Sequence, residues 1–248
     1  MATAIEVRGL SKCFRVHHAW RPRSFHEALI RGFRRLAPDE VFWALRDIDL
    51  DVAQGAAVGL VGDNGAGKST LLRLLARVGL PDSGTIRLHG RVGAVLDLGA
   101  GFHGDLTGRE NVMLGGVIGG LSRREVRAAF PAIVEFAGLE DWIDNPLRTY
   151  STGMRMRLAF SVATAVRPDV LLVDEILGVG DATFQQKCAV RIDELRAAGS
   201  TMVVCSHHGE TIRELCDTAV WLERGRIASL GDAATVMDAY QHATRPDA

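Results

Sequence analysis

A glycine-rich loop between an apolar run and a helical stretch constrains the fold of this 248-residue chain most strongly. Residues 62–69 read Gly-Asp-Asn-Gly-Ala-Gly-Lys-Ser and fit the pattern G-x-x-x-x-G-K-[ST] at each fixed position. In such a loop the backbone N–H groups face phosphates, the following helix adds its positive N-terminus, Lys68 adds a point charge and Ser69 adds a Mg²⁺ ligand. The sequence therefore predicts a binding site for nucleotide phosphates, formed by Gly62, Asp63, Asn64, Gly65, Ala66, Gly67, Lys68, Ser69 and Thr70.

Apolar and helical patterns on both sides of the loop predict the class of fold. Short continuous apolar runs are consistent with strands buried on both faces of a largely parallel sheet, and they lie at 57–61, 170–173 and 202–205. Helical patterns separate these runs, at 69–78, 154–166, 182–198 and 209–216. Residues 5–7 and 48–52 instead alternate apolar and polar side chains, as half-buried antiparallel strands do. We therefore expect an α/β P-loop NTPase with a largely parallel core sheet and an N-terminal antiparallel β subdomain.

Residues 105–150 carry no strand pattern and predict an inserted α-helical subdomain. Its helices are expected to break at Gly115-Gly116, Gly119-Gly120, Pro131 and Gly138, because glycine and proline interrupt helices. From Asp232 onward the sequence predicts a short final helix. The chain has no internal repeat and no low-complexity linker, so residues 1–248 are expected to form a single domain.

Two consecutive carboxylates, Asp174 and Glu175, end the apolar run 170–173. Ligands of open α/β sheets bind at the carboxyl ends of the strands, so both side chains are expected beside the phosphate loop. Asp174 is then placed to hold Mg²⁺, and Glu175 is placed to polarise the water that attacks the terminal phosphate. The alternative is an Asp-Glu pair that caps the next helix.

Composition and charge exclude several other classes of protein. Apolar residues make up 47% of the chain and charged residues 24%, which is globular usage. The longest uncharged apolar stretches are shorter than the roughly 18 to 20 residues of a membrane span, and a net charge of −1 gives no general attraction to nucleic acid. Four widely spaced cysteines predict reduced thiols without a zinc site. Because the N-terminus also lacks a secretory signal pattern, we expect a cytoplasmic protein.

The segment Ser151-Thr152-Gly153-Met154, which precedes an apolar helix, points to one family of phosphate-loop proteins. It resembles the Ser-Gly-Gly-Gln signature of the ATP-binding cassette (ABC) ATPases and keeps the serine and the second glycine. The resemblance implies that Ser151, Thr152 and Gly153 contact the γ-phosphate of ATP held by a second copy. A homodimer would then enclose two ATP molecules with Mg²⁺. Taken alone, the serine also fits a helix N-cap.

Other motifs of the ABC family follow in the expected order. Asp181 resembles the loop that crosses the dimer interface, and His207 resembles the switch histidine that contacts the γ-phosphate. Phe14 corresponds to the aromatic residue that stacks on adenine. The resemblance covers nearly the whole chain and implies ATP hydrolysis with Lys68, Glu175 and His207 as catalytic groups.

One departure from the family concerns the metal site. Most relatives carry a glutamine that links Mg²⁺ to the membrane partner, and this chain has Asp97 nearest to that position. A carboxylate there would change the charge beside the metal, so the glutamine's role does not carry over directly. Asp97 is thus a third candidate metal ligand, after Ser69 and Asp174.

Segments 98–102, 107–111 and 179–188, together with the signature at 151–154, resemble one subgroup of the family. This subgroup comprises the ATP-binding subunits of bacterial exporters of O-antigen, teichoic acid and capsular polysaccharide. The resemblance implies a polytopic transmembrane permease in two copies as partner, a lipid-linked glycan as cargo, and no nucleic acid. It places the chain peripherally on the cytoplasmic face of the inner membrane. Some relatives append a carbohydrate-binding domain, and none is expected in a chain that ends at Ala248.

A basic amphipathic insertion is predicted at 17–42, where a minimal ABC ATPase has fewer residues. Four of its apolar residues share one helical face, and they are Phe25, Leu29, Phe33 and Leu36. Between residues 21 and 36 the basic residues outnumber the single acid Glu27, and they are Arg21, Arg23, Arg31, Arg34 and Arg35. Such a helix suits the membrane surface or a permease near anionic headgroups. The alternative is a helix packed on its own domain with a solvated basic face.

Two other functions stay open on sequence grounds. A soluble ABC ATPase that acts on DNA or ribosomes fits poorly, because the chain has no coiled-coil heptads and no basic excess. An importer subunit fits poorly, because the glutamine is missing and the insertion is present.

Overall fold

Nine strands and seven α-helices are formed by the residues that the computed structural model describes, which are 2–16, 40–96, 102–165, 167–174, 181–206 and 209–244. The strands are β1 Thr3–Val16, β2 Glu40–Ala53, β3 Ala57–Val61, β4 Ser83–Leu88, β5 Val92–Val95, β6 Val170–Asp174, β7 Thr201–Cys205, β8 Thr218–Glu223 and β9 Arg226–Asp232. The helices are α1 Lys68–Leu75, α2 Gly108–Ile118, α3 Arg123–Ala137, α4 Thr152–Ala165, α5 Ala182–Ala197, α6 Gly209–Leu215 and α7 Ala233–Thr244.

A six-stranded sheet of order β5-β6-β7-β3-β8-β9 forms the centre of the molecule. All neighbours pair in parallel except β8 and β9, which are antiparallel. Alternate residues of β3 enter two different hydrophobic clusters: Val58 and Leu60 pack with Leu71 of α1, whereas Ala57 and Val61 pack on the opposite face. Burial on both faces explains the continuous apolar runs and confirms the predicted α/β class.

The second sheet is antiparallel, has the order β2-β1-β4, and covers the α1 side of the core. Its first two strands are 14 residues each, much longer than the predicted 5–7 and 48–52. Several register shifts interrupt the β1–β2 pairing, and Asp47 has a positive φ of 53°. These irregularities interrupt the two-residue alternation, which is why the pattern revealed only part of each strand.

The start of β2 corrects the predicted insertion. Because β2 begins at Glu40, residues 40–42 are strand and not part of a helical insertion. Residues 17–39, with the amphipathic face and the arginines, lie outside the described residues.

Helices α2, α3 and α4 form the helical subdomain around a third hydrophobic cluster. Capping boxes start α2 and α3, where Thr107 pairs with Glu110 and Ser122 with Glu125. The ends at Gly119 and Gly138 confirm two of the predicted breaks.

The other two predicted breaks, at Gly115-Gly116 and at Pro131, are wrong, because α2 and α3 continue through them. A Cβ on Gly116 would lie 2.6 Å from Cγ2 of Val126, so this glycine permits close packing of α2 on α3. Tertiary packing of Val126 and Ile133 in the third cluster holds α3 together across the proline.

The remaining helices agree with the sequence patterns, with small shifts at their ends. Helix α1 ends at Leu75 rather than at 78, because Arg77 has a left-handed φ of 60°. The final helix α7 follows Asp232 as predicted. Among the described residues, no helix is both long and apolar enough to span a bilayer.

Candidate nucleotide-binding site

The phosphate loop connects β3, in the middle of the parallel sheet, to α1. Two of its glycines are sterically required. Gly62 has a φ of 142°, and a Cβ there would collide with the main-chain oxygen of Leu222. Gly67 has a φ of 109°, and a Cβ there would collide with the main-chain oxygen of Ala44 and lie 2.8 Å from Leu45 Cδ2. The loop therefore folds closely over β2 and β8 only without side chains at these positions.

Lys68 lies at the start of α1 with only 6% of its surface exposed. Its Nζ donates hydrogen bonds to the main-chain oxygens of Gly62 at 2.6 Å and Asp63 at 3.0 Å. These bonds hold the ammonium group within the loop, where a narrow point charge fits better than the planar fork of arginine. Ser69 and Thr70 follow in the first turn of α1 and are half-buried.

Asp174 ends β6, and its main-chain partner across the pair is Cys205 of β7. Since β6, β7 and β3 are successive parallel strands, Asp174 lies at the same sheet edge as the phosphate loop, two strand spacings or roughly 10 Å away. Its Oδ1 is buried and has no hydrogen-bond partner among the residues that the structure describes. A buried carboxylate oxygen without a partner fits a Mg²⁺ ligand, and Ser69 is the second candidate ligand.

Three predicted site residues cannot be placed. Glu175, His207 and Asp97 lie outside the described residues. Their assignments as catalytic base, switch histidine and third metal ligand stay predictions.

Ser151 stands immediately before α4, and its Oγ accepts a hydrogen bond of 3.2 Å from the main-chain N–H of Met154. The serine thus caps the helix, and its hydroxyl proton is still available to donate. Ser151 and Thr152 are exposed, and Gly153 is half-buried. The cap and the predicted γ-phosphate contact are therefore compatible with each other.

Asp181 has a comparable local role at the start of α5. Its Oδ1 accepts a hydrogen bond of 2.9 Å from the main-chain N–H of Phe184, which makes it the N-cap. The residue is exposed. Its place at a dimer interface stays a prediction.

Phe14 lies on β1 with 48% of its surface exposed, and Lys12 Nζ is 5.7 Å from its ring centroid. Directly opposite in the β1–β2 pair stands Phe42, which is 51% exposed. Opposed residues of antiparallel strands project from the same face, so the edge of this sheet carries two neighbouring aromatic rings. The pairing of Phe42 with Phe14 was missed from the sequence, because it depends on the register of two distant strands.

Tyr240 of α7 is a second residue that sequence reasoning missed. Its hydroxyl donates a hydrogen bond of 3.1 Å to Oδ1 of Asp63, in the phosphate loop. The two residues are 177 positions apart. No local pattern marks such a contact.

The fold and the loop define a P-loop nucleotide-binding cassette, and comparison with known proteins gives its family. The family described as ABC transporter matches residues 45–178, so the chain belongs to that family. It is thus an ABC ATPase. The fold is also that of a dimeric ATP-binding cassette solved in a post-hydrolysis state with ADP and Pi, with a TM-score of 0.73 at 20% identity, covering 92% of this chain and 98% of that one.

Three curated relatives illustrate the similarity. An O-antigen export system ATP-binding protein of Klebsiella pneumoniae is 45% identical, covering 82% of each chain. A corresponding protein of Myxococcus xanthus is 44% identical over 86% of this chain and 49% of its own length, so this chain spans about half of that relative. The teichoic acids export ATP-binding protein of Listeria innocua is 39% identical over 80% of this chain and 59% of its own.

Proposed function

We propose that the chain is the ATP-binding subunit of an ABC exporter that moves a lipid-linked polysaccharide across the cytoplasmic membrane. The observation that carries this proposal is its 39–45% identity to export proteins for O-antigen and teichoic acids over at least 80% of its length. The intact phosphate loop and the accompanying Asp174 supply the residues that such a subunit needs for ATP.

In the proposed reaction, the N–H groups of the phosphate loop and Lys68 bind the β- and γ-phosphates, and Phe14 stacks on adenine. Ser69 and Asp174 would hold Mg²⁺, which when bound neutralises charge on the phosphate oxygens. Glu175 would accept a proton from the attacking water, and His207 would contact the γ-phosphate.

The proposed assembly is a homodimer in which Ser151, Thr152 and Gly153 of one copy face the ATP of the other. Ser151 and Thr152 are exposed at the N-terminus of α4, where main-chain N–H groups and the helix dipole favour an anion. Asp181 is exposed at the start of α5 and is available for the same interface.

Two copies of a polytopic permease would supply the pore, and the cassette would bind peripherally on the cytoplasmic face. In this proposal the basic segment 17–39 lies near the permease or the headgroups and meets the lipid-linked glycan. Neutralising Arg31, Arg34 and Arg35 is then expected to lower glycan export more than basal ATPase activity. Equal losses in both would contradict this placement.

Replacement of the chromosomal gene by one that encodes Lys68→Ala tests the function. The proposal requires that lipid-linked glycan accumulates inside the cell and disappears from the surface, while the permease remains in the membrane. A cell surface with unchanged glycan content would overturn the proposal. Co-purification of the wild-type chain with a polytopic membrane protein provides the complementary test.

A further inference from the structure

We propose that Tyr240 is a positioning residue of the ATP site: its hydroxyl holds the Asp63 carboxylate aside, so that this charge does not repel the bound nucleotide. The inference rests on the proposed ATP-binding function and adds a role for the C-terminal helix α7 within it.

Asp63 poses an electrostatic problem for a phosphate site. It is the single acidic residue in the segment 62–69, and it directly follows Gly62 at the end of β3. A triphosphate is strongly anionic, so a free carboxylate on the same short loop disfavours its binding. A second group that fixes the direction of this carboxylate therefore has a direct effect on nucleotide affinity.

Tyr240 reaches Asp63 from a firmly docked helix. Val236 and Met237 of α7 are buried in the second hydrophobic cluster. Arg213 of α6 pairs with Asp238 at 2.6 Å. Since α7 is fixed by these contacts, its tyrosine can define the position of the exposed Asp63 side chain.

The ring of Tyr240 is also located by a neighbouring aromatic side chain. It contacts Trp221 of β8 edge to face, with ring centroids 5.8 Å apart. Trp221 in turn pairs with Val61, the residue immediately before the phosphate loop. The phenol thus lies where β3 passes into the loop.

The Tyr240 hydroxyl then donates its 3.1 Å hydrogen bond to Asp63 Oδ1. Burial and this bond to the Asp63 carboxylate both raise the pKa of Tyr240, so the phenol stays protonated and able to donate at neutral pH. A carboxylate held by a neutral donor has less freedom to turn toward the phosphates.

The main chain of Asp63 connects this contact to the catalytic lysine. Its carbonyl oxygen accepts hydrogen bonds from Lys68 Nζ at 3.0 Å and from the main-chain N–H of Ala66 at 3.1 Å. The residue that Tyr240 holds is therefore part of the arrangement that positions Lys68. Restraint of Asp63 orients both the repulsive carboxylate and the attractive ammonium group.

The test compares the full-length wild type with Tyr240→Phe, Asp63→Asn and the double variant. Phenylalanine keeps the ring contact with Trp221 and loses only the hydroxyl. Thr244→Val is the matched control, because it removes a hydroxyl from the same helix that bonds to the Tyr240 carbonyl and not to the loop. Mg²⁺-ATP affinity is measured with a fluorescent ATP analogue at low and high salt, and thermal midpoints are recorded in parallel.

We expect Tyr240→Phe to weaken ATP binding about three- to tenfold at low salt, with a thermal midpoint lowered no more than that of Thr244→Val. The loss should shrink at high salt, because salt screens the repulsion. In the Asp63→Asn background the tyrosine substitution should have no effect, since the amide carries no charge. A merely structural role would not produce this dependence on salt and on the Asp63 charge.

Affinity of Tyr240→Phe within twofold of the wild type would overturn the inference, as would an equal loss in the Asp63→Asn background. Those results leave the proposed ATPase function intact, provided that the wild type binds and hydrolyses ATP. Failure of the wild type to bind ATP would instead overturn the proposed function and this inference with it.

Discussion

The hydroxyl of Tyr150 donates a hydrogen bond of 2.6 Å to the main-chain oxygen of Trp142, within the helical subdomain. Tyr150 is 3% exposed and directly precedes Ser151, the residue proposed to contact ATP across a dimer. Its ring lies against Gly108, where a Cβ would collide with the hydroxyl. The start of α4 is therefore anchored to the buried core of the subdomain.

Tyr150→Phe tests this anchor. The Trp142 oxygen also accepts a hydrogen bond from Asn145 N–H, so it keeps one partner when the phenol is lost. We expect the free energy of unfolding to fall by about 1 kcal/mol, the net value of a typical hydrogen bond. Urea denaturation measures this change, and an unchanged midpoint would show that the contact does not contribute to stability. ATP affinity of the monomer should be unaffected, since the phosphate loop lies in the other subdomain.

The phosphate loop and Asp174 could be predicted because their chemistry is encoded in a few adjacent residues. The buried parallel strands could also be predicted from short stretches of sequence, because burial on both faces produces continuous apolar runs. The Tyr240–Asp63 contact could not be predicted from the sequence, because it joins residues 177 positions apart through the packing of α7.

Tertiary packing explains the places where local propensity gave the wrong prediction. From propensity alone Gly116 is expected to interrupt α2. In the structure its lack of a side chain lets Val126 of α3 pack closely, which strengthens the subdomain. In β1 and β2 the shifts of register obscured the alternation that marks a strand. Such effects depend on the partner element and are absent from any single segment.

The two capping boxes predict how the helical subdomain responds to acid. Hydrogen bonds from the main-chain N–H and hydroxyl of Thr107 lower the pKa of Glu110, and the equivalent bonds from Ser122 lower the pKa of Glu125. A lowered pKa in the folded state contributes stability that is present above the ordinary glutamate value of about 4.3 and is lost as pH falls through the lowered value. The free energy of unfolding should therefore decline below about pH 4.3.

Glu110→Gln with Glu125→Gln isolates that contribution. Glutamine can still close a capping box but does not titrate, so the double variant should have a shallower dependence of unfolding free energy on acid pH. Urea denaturation at several pH values gives the slope, with Glu140→Gln, an exposed residue outside both boxes, as the control. Equal slopes in the wild type and the double variant would refute the linkage.

Thiol accessibility gives an independent test of the fold. All four cysteines are reduced thiols; Cys13 is half-buried, and Cys188, Cys205 and Cys216 are buried. Burial raises the pKa of Cys188 and Cys216 to about 12, so both are thiols at neutral pH and protected from reagents. Burial, followed by the hydrogen bond to Asp82, raises the pKa of Cys13 more modestly.

We expect one of the four thiols to react rapidly with an alkylating reagent in the folded protein, and all four after denaturation. The rapid reaction should accelerate as pH rises, because the thiolate is the nucleophile, and it should level off at a higher pH than for an ordinary thiol, since the pKa of Cys13 is raised. It should disappear in Cys13→Ser, as followed by mass spectrometry. Rapid labelling of a second cysteine in the folded chain would contradict the burial of the core.

Asp174→Asn separates the stability of the fold from its use of metal. Since Asp174 Oδ1 is buried and no described residue forms a hydrogen bond with it, its negative charge is unfavourable in the absence of a cation. Removal of that charge should leave the thermal midpoint of the protein without ligand unchanged or raise it. The same variant should lose the stabilisation by Mg²⁺-ATP, which for a wild type at 100 times its dissociation constant amounts to about 2.7 kcal/mol.

Asp169→Asn is the matched control at the opposite end of β6. Its Oδ2 accepts a 2.6 Å hydrogen bond from the main-chain N–H of Arg91, so this substitution should lower stability and retain the response to Mg²⁺-ATP. Thermal midpoints with ATP, with and without Mg²⁺, together with the ATPase rate, distinguish the two variants. A full Mg²⁺-dependent shift in Asp174→Asn would show that this carboxylate is not a metal ligand. The opposite responses expected at the two ends of one strand follow from a single difference: Asp169 has a main-chain partner in Arg91, whereas Asp174 Oδ1 has none within the described part of the chain and can bind a cation.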